Sequence, residues 1–395
     1  MSDRSAPAGG RLAIVTSVVG KSTEISQRRH INELYGGATA IVCYSVEPGF
    51  VTDKPMLHVT RRPPGLGPRL ELEFGKALHT LTYRASGVPF GGVRRRIEAF
   101  LREQKAFAIL AEFGHLGSSF APIGARLGIP VFVYFRGFDA SKRLSSPLRV
   151  LSYKAAIPRI AGYFAVSQSL LDNLAAKGIR HPNSHVIPSG VDTRLFAPGD
   201  KDPDLLLAVG RMIPKKAPLT TLEAIARIAA DFPTRRLEMI GDGPLLDEAR
   251  RFAADSGLGD RVRFLGLQPH PVVREKMARA AVFLQHSVTD AEGNEEGLPI
   301  AIQEAMASGA VVISTRHAGI PDAVVEGETG FLVAERDLDG YTAALRTVLA
   351  EDALRARLAA AARLRAETVF DTRVLQGRLE QVILATLAGA AEASP

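Results

Sequence analysis

Short, almost wholly apolar runs alternate with longer helical stretches along most of this chain, and no other feature constrains its fold more. RLAIVTSVV, ATAIVCYS, KAFAILAEFG, IPVFVYFRG and GYFAVS each read as a buried strand in the first half. LLLAVG, RLEMIG, RVRFLG, AVFLQHS, AVVIST and GFLV do so in the second. The runs are near-continuous rather than alternating, as expected where helices cover both faces of a sheet. With helical text such as APLTTLEAIARIAADF between strands, the order predicts parallel α/β architecture.

A length of 395 residues suggests two domains of ordinary size. The rhythm breaks once, at VIPSGVDTRLFAPGDKDPD, where three prolines, two glycines and four aspartates mark a linker or hinge. From Tyr341 onward the text is rich in Ala, Leu and Arg and free of strands. The expected division is a first Rossmann-like domain over 1–195, a second over 196–370, and a C-terminal helix over 371–395 that packs back on the first. Two such domains leave a central cleft, and open α/β sheets bind ligands at the carboxyl ends of their strands.

Cys43, the single cysteine, excludes an intramolecular disulfide and a cysteine metal cluster, and fits a reducing cytoplasm. No apolar run approaches the roughly 20 residues of a spanning helix, so a cytoplasmic protein, at most peripheral to a membrane, is expected. Charge is uneven. Residues 1–200 hold 26 Lys+Arg against 14 Asp+Glu, while residues 201–395 hold 23 against 28. The basic first half suits an anionic partner.

Three stretches of the second half carry chemistry. In HSVTDAEGNEEGLPIAIQEAMASG a strand ends, a polar loop follows and a helix opens. Glu296 stands at the junction and Glu304 eight positions on, on the order of 12 Å at the helical rise per residue. Unpaired N–H groups at a helix start, here near Gly297 and Leu298, favour a negatively charged ligand. Glu304 sits among Ala301, Ile302, Ala305 and Met306, an unnatural setting for a solvated acid. In VGRMIPKKAP, Arg211 and Lys216 follow a strand and can neutralise a leaving diphosphate. In IGDGP, Gly241 and Gly243 allow a tight turn and close backbone approach. Each stretch alone has an ordinary structural explanation: a favourable N-terminal acid, a solvated basic turn, a common strand–helix turn.

Together they resemble the donor domain of glycosyltransferase family 4, retaining enzymes of GT-B fold. Six motifs match in order: Val209–Lys216, Gly241–Pro244, Phe264–Gly266, Glu296–Gly309 with its E-x7-E spacing, Gly319–Pro321 and Gly330–Val333. A looser match, AVSQSLLDNLAAKGI with VIPSGVDTRLFAPG, extends the resemblance into the first half. The resemblance implies that Arg211 and Lys216 bind the donor diphosphate, Glu296 the transferred sugar and Glu304 the ribose. Gly20, ending the first strand, would approach the diphosphate from the N-terminal side. No metal or other cofactor is implied. Where many members carry His-Gly-x-Asp, this chain has Arg136-Gly137-Phe138-Asp139. Arg136 could hold a phosphate or an acidic acceptor but cannot act as a base near neutral pH. His115 is the nearest alternative imidazole.

The expected activity is metal-independent transfer of a sugar from a UDP- or GDP-sugar to a polysaccharide, lipid-linked or small-molecule acceptor, by front-side displacement with retention. A sucrose- or glycogen-type synthase, or a sugar-nucleotide epimerase, is the alternative within the fold. A dinucleotide-dependent oxidoreductase is more distant, since TSVVGKSTE lacks G-x-G-x-x-G. Nucleic-acid binding is disfavoured by the absence of Trp and of aromatics among the basic residues. A basic amphipathic helix within residues 84–105, with Arg94, Arg95, Arg96, Arg102 and Lys105, is the expected contact with an anionic membrane surface.

Overall fold

The computed structural model describes residues 6–7, 9–21, 25–60 and 66–392. The chain divides into two compact units, one of Met1–Ile187 with Gln376–Pro395 and one of Pro188–Leu375.

The first unit is built on strands β1 (Arg11–Thr16), β2 (Thr39–Cys43), β3 (Met56–His58), β4 (Ala106–Glu112), β5 (Val131–Phe135), β6 (Gly162–Ala165) and β7 (Ser184–Val186). Its helices are α1 (Ile25–Glu33), α2 (Leu66–Tyr83), α3 (Gly91–Glu103), α4 (Gly114–Leu127), α5 (Pro147–Ala156) and α6 (Gln168–Ala176). The sheet runs β3-β2-β1-β4-β5-β6-β7, every pair parallel. All five residues of VFVYF in β5 are buried, which is why that run has no polar alternation.

The second unit has β8 (Asp202–Val209), β9 (Arg236–Ile240), β10 (Val262–Gly266), β11 (Ala280–Leu284), β12 (Val311–Thr315) and β13 (Gly330–Val333). Between and after them come α7 (Pro218–Ile228), α8 (Leu246–Asp255), α9 (His270–Arg279), α10 (Ile300–Ala307), α11 (Ile320–Ala323), α12 (Leu338–Ala350) and α13 (Asp352–Arg365); α14 (Thr372–Glu392) starts in this unit and from Gln376 belongs to the first. The order is β10-β9-β8-β11-β12-β13, again all parallel. Successive β8 residues serve opposite faces: Leu206 packs with Leu222, Ile225 and Leu345, whereas Leu207 packs with Phe283, Ile302 and Met306. Both sheets thus have helices on each face, the two Rossmann-like layers expected from the sequence.

Several details differ from the sequence reading. β3, β7 and α2 were not foreseen: the two strands are three residues long, and α2 begins in a Gly/Pro-bearing stretch. β1 ends at Thr16, with Val19 making only an isolated bridge to Val46, so Gly20 lies in the following loop rather than at the strand end. DPD belongs to β8, not to the linker. The linker itself is tied to the second unit. Thr193 Oγ1 donates to Asp371 Oδ2 at 2.5 Å, and the Arg363 guanidinium donates to the carbonyls of Thr193 and Phe196 at 3.0 and 2.7 Å. In the first unit, Glu380 of α14 accepts the Tyr35 N–H at 2.5 Å.

Each sheet reverses its strand order once, between β1 and β4 in the first unit and between β8 and β11 in the second. Two adjacent strands whose connections leave in opposite directions open a crevice at their carboxyl ends, the usual ligand position of such sheets.

Candidate functional site

In the second unit the crevice is formed by the loops after β8 and β11. Gly210 and Arg211 follow β8, and a short turn over Pro214–Lys216 leads to α7. Ala217, which precedes α7, is held at φ +38, a conformation costly for a residue with a Cβ. The two loops are joined where the Val288 N–H donates to Lys215 O at 2.9 Å.

Glu296 lies in the loop after β11, four residues before α10 begins at Ile300. The helical rise therefore does not apply to the whole interval from Glu296 to Glu304, and the 12 Å spacing assumed an unbroken helix. Its carboxylate meets two ammonium groups, Lys216 Nζ at 3.1 Å and Lys215 Nζ at 3.5 Å. Glu296 and Lys215 are each 8 % exposed. Burial alone would raise the Glu296 carboxyl, but Lys216 and Lys215 outweigh it and hold it below its ordinary range. Burial lowers the Lys215 ammonium, with Arg211 and Lys216 nearby working in the same direction against Glu296. The result is a compact pair of ammonium groups on one carboxylate, with Arg211 near enough to Lys215 to act on it.

The backbone under Glu296 is fixed from outside its own loop. His317 Nε2 accepts the Glu296 N–H at 3.0 Å, while Nδ1 pairs with Glu335 Oε1 at 2.6 Å. That arrangement specifies a neutral imidazole carrying its proton on Nδ1. Glu335 also accepts the Thr289 N–H at 2.9 Å, Lys215 Nζ donates to Glu295 O at 3.2 Å, and the Gly319 N–H donates to Gly297 O at 3.0 Å. Leu298 and Glu304 are buried beside this loop.

Gly241 and Gly243 owe their identity to a neighbouring loop. A Cβ on Gly241 would stand 1.9 Å from Gly210 O, and one on Gly243 2.5 Å from Met212 O. Their loop is laced to the Arg211 loop by Gly210 N–H to Ile240 O, Met212 N–H to Asp242 O and Leu245 N–H to Met212 O, all within 3.0 Å. These glycines thus set the height of the Arg211 loop.

In the first unit the crevice lies where β1 and β4 end, and there His115 Nε2 pairs with Ser17 Oγ at 3.1 Å. Gly20 has φ +98, and a Cβ on it would stand 2.7 Å from the Phe50 side chain. It borders a cavity of about 560 Å³ whose lining includes Lys21, Arg28 and Asn32. Ser22, Thr23 and Glu24, the rest of that loop's polar text, lie outside the described residues.

Arg136 is engaged with the protein itself. It donates through Nε to Glu112 Oε2 at 2.7 Å and through Nη1 to Ser26 Oγ at 2.5 Å, and lies 4.5 Å from the centre of the Tyr134 ring. His30 Nδ1 pairs with the other Glu112 oxygen at 2.6 Å. Burial would raise the Glu112 carboxyl, but Arg136 and His30 bring it down to about 2. Asp139 is buried and accepts the N–H groups of Gly114 at 2.8 Å, Arg136 at 3.1 Å and Gly137 at 3.2 Å. It shapes the turn after β5.

Of the residues singled out from sequence, the structure brings Lys216 and Glu296 into contact and buries Glu304 nearby; Lys215, His317, Glu335, His30 and Glu112 were not singled out. Lys215 was legible as the first of a Lys-Lys pair. The others carry no local signal, because their partners lie on distant elements of the chain. Among the described residues, no three His, Cys, Asp or Glu side chains converge as a metal site.

Two family descriptions match adjoining parts of the chain: Glycosyltransferase Family 4 over residues 59–195 and Glycosyl transferases group 1 over residues 194–365. The chain is 29% identical over 261 residues to the amylovoran biosynthesis glycosyltransferase AmsK of Erwinia amylovora, covering 63% of this chain and 62% of that protein. It is 30% identical over 210 residues to the GDP-mannose-dependent alpha-(1-6)-phosphatidylinositol monomannoside mannosyltransferase of Mycolicibacterium smegmatis, covering 50% and 55%. The match spans about three fifths of the length of the first curated relatives. In fold it resembles Anabaena HepE, solved in complex with UDP, with a TM-score of 0.74 at 17% identity over 95% of this chain and 100% of that one. The two matched regions, the ordered motifs and the pair of parallel sheets lead to one assignment: the chain belongs to glycosyltransferase family 4 and has the GT-B fold.

Proposed function

We propose that the protein transfers a sugar from a UDP- or GDP-sugar to a polysaccharide, lipid-linked or small-molecule acceptor, with retention and without a metal. The observation that carries this reading is the meeting of Lys215 and Lys216, from the loop after β8, with Glu296, from the loop after β11, and Arg211 close to Lys215. In a nucleotide sugar the anomeric carbon is bonded directly to a phosphate oxygen. A carboxylate and an ammonium 3.1 Å apart can address the two sides of that bond, Glu296 through sugar hydroxyls and Lys216 through the phosphate. Arg211 and Lys216 then stabilise the charge that grows on the leaving diphosphate, and Glu304 receives the ribose. Gly241, Gly243, Gly297 and Leu298 provide the backbone around the donor.

In the front-side path the acceptor oxygen bonds to the anomeric carbon on the face the leaving group vacates. The carbon–oxygen bond to phosphate breaks, and that phosphate oxygen takes the acceptor proton. No protein base is required. The protein's work is orientation and charge stabilisation.

Thermal denaturation with UDP, GDP, ADP and their sugar conjugates, with and without EDTA, tests the donor reading. A ligand at about 100 times its dissociation constant adds roughly 2.7 kcal/mol. One nucleotide family should stabilise the protein regardless of EDTA, and Arg211→Ala and Lys216→Ala should each abolish the shift. No shift with any nucleotide sinks the donor reading; an inverted anomeric product by NMR sinks retention.

The basic first half is the part of the chain suited to an anionic membrane surface. No described helix is long and apolar enough to cross a membrane.

A further inference from the structure

A cavity of about 640 Å³ opens in the first unit, at the carboxyl ends of β2, β3 and β4. Its walls are apolar where Val88, Phe90 and Leu116 face it, and Lys76, Arg84 and Arg149 supply three cations. No aspartate or glutamate lines it among the described residues. Lys76 pairs with Glu73 at 2.6 Å, whereas Arg84 and Arg149 make no side-chain ion pair among the described residues. His115, on the cavity wall, reaches the switch point of the sheet through Ser17. A site with apolar walls, unneutralised arginines and no carboxylate favours an anion joined to an apolar body.

An exposed apolar strip adjoins the cavity. Leu70, Phe74, Leu78 and Leu81 recur on one face of α2, with exposures of 70%, 63%, 39% and 71%. Leu148, 73% exposed, stands on α5, which packs against α2. Phe74 makes an edge contact with Phe90, ring centres 6.0 Å apart, so strip and cavity wall are continuous. The helix singled out from sequence, α3, is different. It buries Ile97 and Leu101, spends Arg94 on the buried Glu98, and exposes no large apolar side chain among its described residues. The apolar face left for a lipid surface is on α2.

We propose that this cavity binds a phosphate-bearing amphiphile: the acceptor is a lipid-borne phosphate ester, taken from an anionic bilayer on which the α2 strip and Leu148 rest. Arg84 and Arg149 hold the phosphate, Phe90 and Val88 flank the first part of the chain, and the exposed leucines enter the headgroup region. The assignment of this ligand as acceptor rests on the glycosyltransferase reading; its binding does not.

Calorimetric titration compares decyl phosphate below its micellar concentration with decanol and with inorganic phosphate. Decyl phosphate should bind, the other two should not, and Arg84→Gln with Arg149→Gln should weaken binding by about thirtyfold, each charge being worth roughly fivefold. In parallel, the protein should co-sediment with vesicles of equimolar phosphatidylglycerol and phosphatidylcholine but not of phosphatidylcholine alone. Leu70→Glu with Leu81→Glu should abolish that while keeping the nucleotide-induced thermal shift, which shows the fold intact. Equal binding of decanol and decyl phosphate, no binding of either, or sedimentation indifferent to the leucine changes overturns the proposal. A wild type that binds decyl phosphate but no nucleotide would keep the cavity and remove the transferase reading.

Discussion

Arg136 shows how far a residue's neighbours decide its role. From sequence it stands where the family often has a histidine near the reaction centre. In the structure its charge is spent on Glu112, a fully buried carboxylate that also receives His30. Arg136→Ala would strand that carboxylate and should cost about 3–5 kcal/mol of stability, measured by urea unfolding. A purely substrate-binding arginine would instead leave the midpoint unchanged. The same pairing sets an acid dependence. The folded-state carboxyl lies near 2 against an ordinary 4.5, so the stabilisation is fully present above about 4.5 and fades as pH falls through about 2. Stability should therefore drop over that window in the wild type, with a shallower slope for Glu112→Gln. An identical slope in both would remove Glu112 from the account.

At the scale of elements, loops after parallel strands are held by other loops. The Arg211 loop is braced by the turn after β9, which is why that turn reads Gly-Asp-Gly. Gly241 has φ +140, and a Cβ there would collide with Gly210 O, whereas Gly293 has φ +69 with open space around its α-carbon. Gly241→Ala should therefore destabilise by more than the roughly 1–3 kcal/mol of backbone strain alone, and Gly293→Ala by about 1 kcal/mol. Equal losses for the two would show that close loop packing does not position Arg211. The Glu296 loop has a similar brace in His317 and Glu335, so its carboxylate is held before any ligand arrives. Such preorganisation would lower the cost of orienting the proposed donor.

At the scale of the molecule, each unit carries its own sheet, and each sheet has one switch point where the unusual residues gather. Hydrogen exchange should register this. Saturating nucleotide at about 100 times its dissociation constant should slow exchange roughly a hundredfold where opening is incompatible with binding, within residues 209–217 and 286–299. Protection spread evenly over both sheets, without these segments standing out, would argue against the site at β8 and β11. The uneven charge has its counterpart here too, since the first unit holds the cavity lined by Lys76, Arg84 and Arg149.

The sequence alone determined the two parallel sheets and the position of most strands, and it singled out the motif residues Arg211, Lys216, Glu296 and Glu304 as candidates. These are local properties: a strand covered on both faces must be apolar along its length, and a strand-end motif is contiguous in the chain. The three-residue strands β3 and β7 are too short to leave such a run, and α2 exposes the leucines that would otherwise mark a core face. Only the tertiary structure decided that Lys215 joins Lys216 on Glu296, that His317 accepts the Glu296 N–H, and that Arg136 turns to Glu112. His317 lies 21 residues from Glu296, and His30 lies 82 from Glu112. A buried charge is settled by whichever donors the neighbouring strands bring within about 3 Å, and spacing along one strand does not encode them.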